Sequence, residues 1–289
     1  TGEIQVTENN TTYRIWVDAN NPVIRVEANS AEAATMTVNL INWRTSTQNG
    51  VSADVILNQT NKIAWYHRNS ATADSHVANR TFGAIIKGNG FVTTNNTTLT
   101  ESGATTSHLV SIYPLTTATA TASEWLTQLN QKVSDIDALN LETTRTAHQT
   151  WWDNFWHRSW VFVTGDATAT TTTQGYILQR FKTACAGRGA YPIKFNGSIF
   201  TVDNPSYNTG SSTIAVNADY RTWGGQYWFQ NTRAMYWPRL AAGDFDIMLP
   251  LFNMYYNILA ANTAQVNTYY GHAGAYFAET APFWGGLPY

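Results

Sequence analysis

The sequence changes its hydrophobic period near residue 116, and this change limits the folds that are open to the chain. Before it, apolar and polar residues alternate, as Tyr13, Ile15 and Val17 do in the segment TYRIWVDA. Short alternating segments without intervening helices predict an antiparallel sandwich. After it, apolar residues recur every three or four positions, as on one face of a helix. The pattern predicts a β domain followed by helices.

This change of period divides the chain into three parts. Residues 1–115 are expected to form an antiparallel β-sandwich domain, residues 116–165 a helical linker, and residues 166–289 a helical domain. Five helices are predicted: one that begins near Ser123, one capped by Asn140, one over about 173–186, one over about 226–237 that ends at Pro238, and one that begins near Asp244 and includes Leu259.

The composition indicates which partners the chain can hold. Charged residues make up 12% of the chain and the formal net charge is −2, so nucleic acid is not expected as a partner. The sequence contains 12 Trp and 15 Tyr beside many uncharged polar residues. That mixture suits a neutral sugar, and it is equally common in secreted proteins. No run of about 18 apolar residues predicts a membrane span.

Cysteines, histidines and glycosylation sequons indicate whether the chain has disulfides or metals and whether it is secreted. The single cysteine, Cys185, excludes an intrachain disulfide and is expected to be buried on a helix. The six histidines show no zinc spacing, so neither a metal nor another cofactor is expected. Several Asn-X-Ser/Thr sequons, and a first residue, Thr1, that is not Met, lead us to expect a processed, extracellular glycoprotein.

Two aromatic segments in the second half of the chain are the predicted substrate site. They are Arg221–Leu251 and the segment YYGHAGAYFAETAPFWGG at residues 269–286. Aromatic rings can stack on sugar faces, and amides and guanidinium groups can bind hydroxyls. The substrate-binding candidates are Trp223, Trp228, Asn231, Arg233, His272 and Asn196. Each also has an ordinary structural interpretation, which for Trp228 is packing in the core and for His272 a hydrogen bond within its loop.

Four carboxyl groups lie in or beside these segments, and glycoside hydrolysis normally requires two, one acid and one base. Glu279 is the catalytic candidate, because aromatic neighbours in sequence would favour its protonated form as a general acid. Its alternative role is that of a hydrogen-bonded structural carboxylate. Asp244 is expected to cap a helix, Asp246 to lie in the first turn of that helix, and Asp219 to lie in a loop.

Longer segments resemble a known family. The segments AWYHRN, TFGAIIKGNG, WWDNFWHRSWV, FNGSIF and WGGQYWFQNTRAMYWPRLAAGDFDIMLPLF are similar to those of secreted six-hairpin (α/α-toroid) glycoside hydrolases with an N-terminal β-sandwich. The resemblance extends distantly to the α-L-fucosidases of glycoside hydrolase family 95. In that family paired asparagines help to orient the attacking water. Asn231 matches one asparagine of the motif, and Phe229 and Met235 stand at the other two positions.

The resemblance implies an (α/α)6 toroid, which needs twelve helices. At about 11 residues per helix and about 5 per loop, such a toroid takes roughly 190 residues. Residues 141–289 are fewer than that. The chain is therefore expected to hold the first hairpins of an incomplete toroid, and the resemblance implies that the acid and base of the family lie further downstream.

These observations together predict a secreted glycoside hydrolase, or its N-terminal portion, that cleaves an oligo- or polysaccharide with inversion. One alternative is a toroid polysaccharide lyase, in which Tyr270, His272, Asn231 and Arg233 would contact a uronate. The order of the domains argues against it, because such lyases usually place their sandwich after the toroid. Another alternative is a non-catalytic glycan-binding or surface structural protein.

Overall fold

A computed structural model describes residues 2–42, 44–47, 50–194, 206–208, 213–215 and 226–284, and the structural statements below concern these residues. The chain divides into two compact units, Thr1–Asn154 and Phe155–Tyr289. No helix in the described part is long and apolar enough to cross a bilayer. The three-part division expected from the sequence stays a prediction.

The first unit contains two antiparallel sheets. Its described strands are β1 (Glu3–Glu8), β2 (Thr11–Val17), β3 (Ile24–Ala34), β4 (Thr37–Asn39), β5 (Val55–Leu57), β6 (Ile63–Arg68), β7 (Arg80–Gly88), β8 (Phe91–Asn95), β9 (Thr98–Glu101) and β10 (Thr105–Ala118). The large sheet has the order β1-β2-β3-β10-β7-β6-β5, and the small sheet has the order β4-β9-β8. The predicted antiparallel, strand-rich N-terminal region is thus confirmed.

The large sheet separates two hydrophobic cores, because successive side chains of a strand point to opposite faces. On one face, Ile63 and Ile86 pack with Leu99 of the small sheet. Their neighbours Ala64 and Ile85 point the other way, into a second core. The two sheets therefore share a core as in a sandwich, and the far face of the large sheet needs another cover.

Helix α1 (Ala122–Asp137) supplies that cover, with Trp125 and Leu129 fully buried against the sheet. It begins at a capping box: Thr121 accepts a hydrogen bond from the backbone N–H of Glu124, and the carboxylate of Glu124 accepts one from the N–H of Thr121. The predicted start near Ser123 was one residue late, because Thr121 is the capping residue and Ala122 is the first helical residue.

Helix α2 (Leu141–His157) begins as the sequence predicts. The side-chain oxygen of Asn140 accepts a hydrogen bond from the N–H of Thr143 at 3.0 Å. Further along the helix, Arg145 forms an ion pair at 2.9 Å with Glu3 of β1. The helix is therefore fixed to the edge of the large sheet.

The second unit is mainly helical. Its elements are α3 (Ala167–Ala186), β11 (Ser206–Asn208), β12 (Thr213–Ala215), β13 (Tyr227–Trp228), α4 (Phe229–Ala241), α5 (Phe245–Asn257), α6 (Leu259–Tyr270) and β14 (Thr280–Ala281). A helical region after the β domain is thus confirmed, and its membership of a toroid stays a prediction.

Three predicted helix limits in this unit were wrong. Helix α3 starts at Ala167 rather than near 173, because the side chain of Asp166 accepts hydrogen bonds from the first turn. Helix α4 continues through Pro238, whose carbonyl accepts a hydrogen bond from the N–H of Ala242 at 3.0 Å. Leu259 does not continue α5; it begins α6.

Cys185 was also predicted wrongly, since the structure places it on the exposed side of α3. The buried positions of that helix are Arg180, Thr183 and Ala184. One of these buried residues is an arginine, Arg180, for a reason that the site below makes clear.

Candidate functional site

The start of helix α4 is held by a residue 49 positions later in the chain. The backbone carbonyl of Glu279 accepts a hydrogen bond from the N–H of Phe229 at 2.8 Å, and its Oε1 accepts one from the N–H of Gln230 at 2.9 Å. The adjoining strands β13 and β14 pair Trp228 with Thr280. Because the first N–H groups of a helix lack partners within the helix, Glu279 caps α4 from outside.

This position gives Glu279 two possible uses. One carboxylate oxygen serves the helix, and the other, Oε2, forms no hydrogen bond to any residue that the structure describes. The side chain is exposed rather than enclosed by aromatic rings. The geometry leaves Oε2 as an acceptor toward solvent, and the expected role of Glu279 as a general acid stays a prediction.

Tyr255 is a residue that the sequence reasoning missed. Its ring lies between Phe229 and Phe277, with ring centroids 6.1 and 5.6 Å away. Its hydroxyl is buried without a hydrogen-bond partner in the described structure. Burial and, next, the nearby charge of Glu279 raise the pKa of Tyr255. An unpartnered phenol beside a carboxylate is a typical feature of a binding site, and helical spacing alone could not single it out.

Three further candidates lie within the same short stretch of chain. Trp228 is half-buried on β13, and Asn231 is exposed in the first turn of α4. The guanidinium of Arg233 lies over the rings of Phe229 and Trp237, 5.8 and 5.0 Å from their centroids. Within the described ranges it forms neither an ion pair nor a hydrogen bond. Its fork of N–H donors is therefore available to a ligand.

His272 lies elsewhere. It follows Gly271, the left-handed residue that ends α6, and its Nδ1 lies 2.9 Å from the carbonyl of Ala273. It lines an open groove along α5 and α6 with Tyr256 and Asn267. None of its described contacts joins it to the start of α4, so the structure does not bring it together with Glu279.

Trp223, Asn196 and Asp219 lie outside the described residues, as does the first part of the segment Arg221–Leu251. Their roles stay predictions.

Asp244 does not use its side chain as a helix cap, which corrects the expectation from the sequence. The carboxylate is fully buried and meets Arg180 at 3.0 Å, Arg239 at 3.0 Å and Arg158 at 3.1 Å. Arg180 also donates to the carbonyls of Phe155 and Ser159. These contacts join α3, α4, α5 and the end of α2 within the second unit.

Only Arg158 of the three arginines reaches the surface, with 35% of its side chain exposed. It also meets Asp246, which lies in the first turn of α5 as predicted and is 48% exposed. Burial chiefly lowers the pKa of Arg239, and Asp244 opposes that shift. The cluster holds the helices together and is not an open site. Among the described side chains, no group of three has the composition of a metal site.

Comparison with known proteins gives one family and one fold. Residues 1–161 match the family model DUF5703_N, which is described as a domain of unknown function (DUF5703). No curated protein matches the chain. Nine chains of solved structures match it, among them one described as "Putative kojibiose phosphorylase from human microbiome", with a TM-score of 0.54 and 13% sequence identity.

The alignment with that structure covers 96% of this chain and 36% of the other. This chain thus spans about a third of the length of the solved structure it matches. At this identity the similarity shows a shared fold. The likeness to the fucosidases of glycoside hydrolase family 95 in particular is not shown.

Proposed function

The chain belongs to the DUF5703 family, and because it shares its fold with the phosphorylase described above, we propose that it is the N-terminal portion of a carbohydrate-active enzyme. More narrowly, we propose a secreted glycoside hydrolase that inverts the configuration of its substrate. The start of α4 would form one wall of the substrate site, and the remainder of a toroid would complete it.

The observation that carries this proposal is the junction of β13, β14 and the start of α4. It presents a half-buried indole at Trp228, an unpaired guanidinium at Arg233 and a free carboxylate oxygen on Glu279. An aromatic plate with a few hydrogen-bonding groups of fixed orientation is the usual chemistry of a sugar site. Two of these groups, Trp228 and Glu279, are fixed by the same strand pair.

Glu279 would act here as an ionised group. In an inverting reaction the base activates a water on the face of the sugar opposite the leaving group, and the two carboxyl groups are about 6.5–9.5 Å apart. The bond from Gln230 holds one oxygen of Glu279 and turns the other outward. The general acid would then come from another carboxyl group, which we propose lies downstream of Tyr289.

A substitution can separate catalysis from helix capping. Glu279→Gln keeps an oxygen that accepts from Gln230, but it removes the charge that a base requires. We expect the release of reducing sugar by the protein to fall at least about 100-fold, with little loss of stability. Asp166→Asn is the matched control, because Asp166 caps α3 through two backbone N–H groups and has no proposed catalytic role.

The assay also separates the competing reactions. Oligosaccharides are incubated with and without inorganic phosphate, and both reducing sugar and ultraviolet absorbance are followed. Release without phosphate and without new absorbance supports hydrolysis, whereas release that requires phosphate indicates phosphorolysis. A rise in absorbance indicates a lyase. Saccharide binding without any cleavage by the native protein supports the glycan-binding alternative, and equal activity of Glu279→Gln and wild type rejects our assignment of Glu279.

Secretion is part of the same proposal, and the sequons at Asn58 and Asn79 support it. The intact mass of the native protein, measured before and after enzymatic removal of N-linked glycans, tests this point. It also shows whether the polypeptide continues beyond Tyr289.

A further inference from the structure

A second groove lies on the large sheet of the first unit, and none of its lining residues belongs to the proposed catalytic wall. Strands β2, β3 and β10 form its floor, where the register sets Tyr13 beside Ala28 and Ala28 beside His108. The edge strand β4 of the small sheet forms the opposite wall with Thr37 and Asn39. The space between them is about 570 Å³ and is open to solvent.

The lining of this groove is uncharged. Its floor is apolar, and hydroxyl and amide groups surround it, including those of Thr11, Ser30 and Asn39. Among the described residues that line it there is no Lys, Arg, Asp or Glu. Charges on the same strands, such as Arg14 and Glu27, lie on the other face because side chains alternate. Such a surface excludes an ionic ligand and suits a neutral one with an apolar face.

One polar group in the groove has a fixed orientation. Nδ1 of His108 lies 2.8 Å from both oxygens of the Glu101 carboxylate, and both side chains are 4% exposed. Glu101 in turn accepts a hydrogen bond from the N–H of Met36 at 2.7 Å. The carboxylate therefore holds a proton on Nδ1, and in the tautomer that carries its only proton there, Nε2 is an acceptor.

Nε2 of His108 has no partner within the described structure, although the ring lines the groove. An acceptor that faces an open groove can bind a donor from water or from a ligand. The nearby ring of Tyr13 is half-buried on the same face and offers an apolar plate. An aromatic plate and an oriented acceptor in a neutral groove complement the apolar face and hydroxyl edge of a sugar ring.

We propose that this groove is a saccharide-binding site, in which a sugar ring packs on Tyr13 and a sugar hydroxyl donates to Nε2 of His108. The site is independent of the proposed catalytic wall, since its residues all belong to the first unit. It would keep the protein on its polymer while the second unit carries out chemistry.

Titration calorimetry tests the proposal with the 289-residue protein and a panel of neutral hexasaccharides made of glucose, xylose or mannose units. We expect at least one to bind with a Kd below about 1 mM. Tyr13→Ser should weaken that binding about tenfold or more, because a central aromatic residue is lost. Phe162→Ser, which removes an exposed aromatic ring outside both predicted substrate segments, should leave it unchanged.

A second variant guards against misfolding. Thr11 is the first residue of β2, lies on the same face as Tyr13 and lines the groove, so the long side chain of Thr11→Lys should enter the groove and abolish binding, and circular dichroism checks that the variant is folded. Nitrogen-edited NMR then reports on the histidine directly. Saturating saccharide should shift the Nε2 resonance of His108 and leave that of the exposed His76 in place.

The proposal is wrong if no hexasaccharide binds, if Tyr13→Ser and Thr11→Lys bind as well as wild type, or if the His108 resonance does not shift. Binding of an apolar dye or peptide in place of sugar would also overturn it, since the groove would then be a protein-docking face. Loss of cleavage in Glu279→Gln with intact groove binding would leave both proposals standing. If the protein cleaves saccharide but no saccharide binds in the groove, the groove proposal alone is wrong.

Discussion

The buried carboxylate of Asp244 gives the sharpest test of how the second unit is held together. Asp244→Asn keeps the shape of the side chain but removes its negative charge. Two fully buried arginines, Arg180 and Arg239, would then face each other without a counter-ion. Removing one partner of a buried ion pair typically costs about 3–5 kcal/mol, because the remaining charge is left uncompensated.

We expect Asp244→Asn to lower the free energy of unfolding by about 3 kcal/mol, near the lower limit of this range, because Asn retains one acceptor oxygen. For a unit of this size each kcal/mol lowers the melting temperature by about 3 °C, so the transition should fall by about 10 °C. Differential scanning calorimetry measures the transition. Hydrogen exchange should show the loss of protection in α3 and α4, whose arginines bind Asp244.

A neighbouring carboxylate provides the control. Asp246 is two residues away and also contacts Arg158, at 3.3 Å, but it is 48% exposed. Solvent screens that pair, so Asp246→Asn should cost no more than about 1 kcal/mol. If both variants lose the same stability, or if Asp244→Asn loses less than about 1 kcal/mol, burial of the charge cannot be the cause.

A double variant tests the same reasoning from the opposite side. In Asp244→Asn the excess positive charge remains, so replacing Arg239 with Met as well should remove part of the repulsion. The double variant should therefore be more stable than the sum of the single losses predicts, by about 0.5–3 kcal/mol. Strict additivity would show that the groups do not interact.

Three further predictions concern single positions. Burial lowers the pKa of Lys194 to about 8, below its value near 10.4 in the unfolded chain. Between these two pH values the unfolded chain binds more protons than the folded one, so the free energy of unfolding should rise from about pH 8 to pH 10. Urea unfolding of wild type should show this rise, and Lys194→Met should lack it. A methyl group on Gly187 would lie 2.3 Å from Cγ2 of Ile247, so Gly187→Ala should lower the free energy of unfolding in denaturant by about 1–3 kcal/mol. The control is Gly189→Ala, whose methyl group meets no atom within 4 Å in the described structure. It should leave the stability unchanged. Trp125 is fully buried between α1 and the large sheet, so Trp125→Ala should lose about 3–5 kcal/mol and lower the melting of the first unit, while the melting of the second unit serves as the internal control.

Several features of the fold could be predicted because they depend on neighbouring residues. Alternation gave the strand-rich region, and helical spacing marked the buried stripe of α1, including Trp125, Leu129 and Val133. Asn140 was recognisable as a cap because capping is a contact between residues three apart. Helix limits were less predictable, because a contact from another residue can extend a helix, as Asp166 does for α3.

The candidate site could be predicted only in part. The sequence singled out Glu279, Trp228, Asn231 and Arg233 by residue type, and all four lie at or near the start of α4. It could not indicate that Glu279 caps this helix, because that contact spans 49 residues. His272 was placed in the same group by its aromatic neighbours, and the structure puts it on a different groove.

The sequence by itself determined a strand-rich region followed by helices, the buried stripe of α1, and a composition suited to neutral ligands. The tertiary structure alone decided which charges meet: Asp244 with Arg180 across 64 residues, and Glu101 with His108 beneath a groove on the large sheet. The physical reason is the distance along the chain over which each kind of interaction acts. Local sterics and periodicity act over a few residues, whereas the partner of a buried charge is chosen by packing between distant elements.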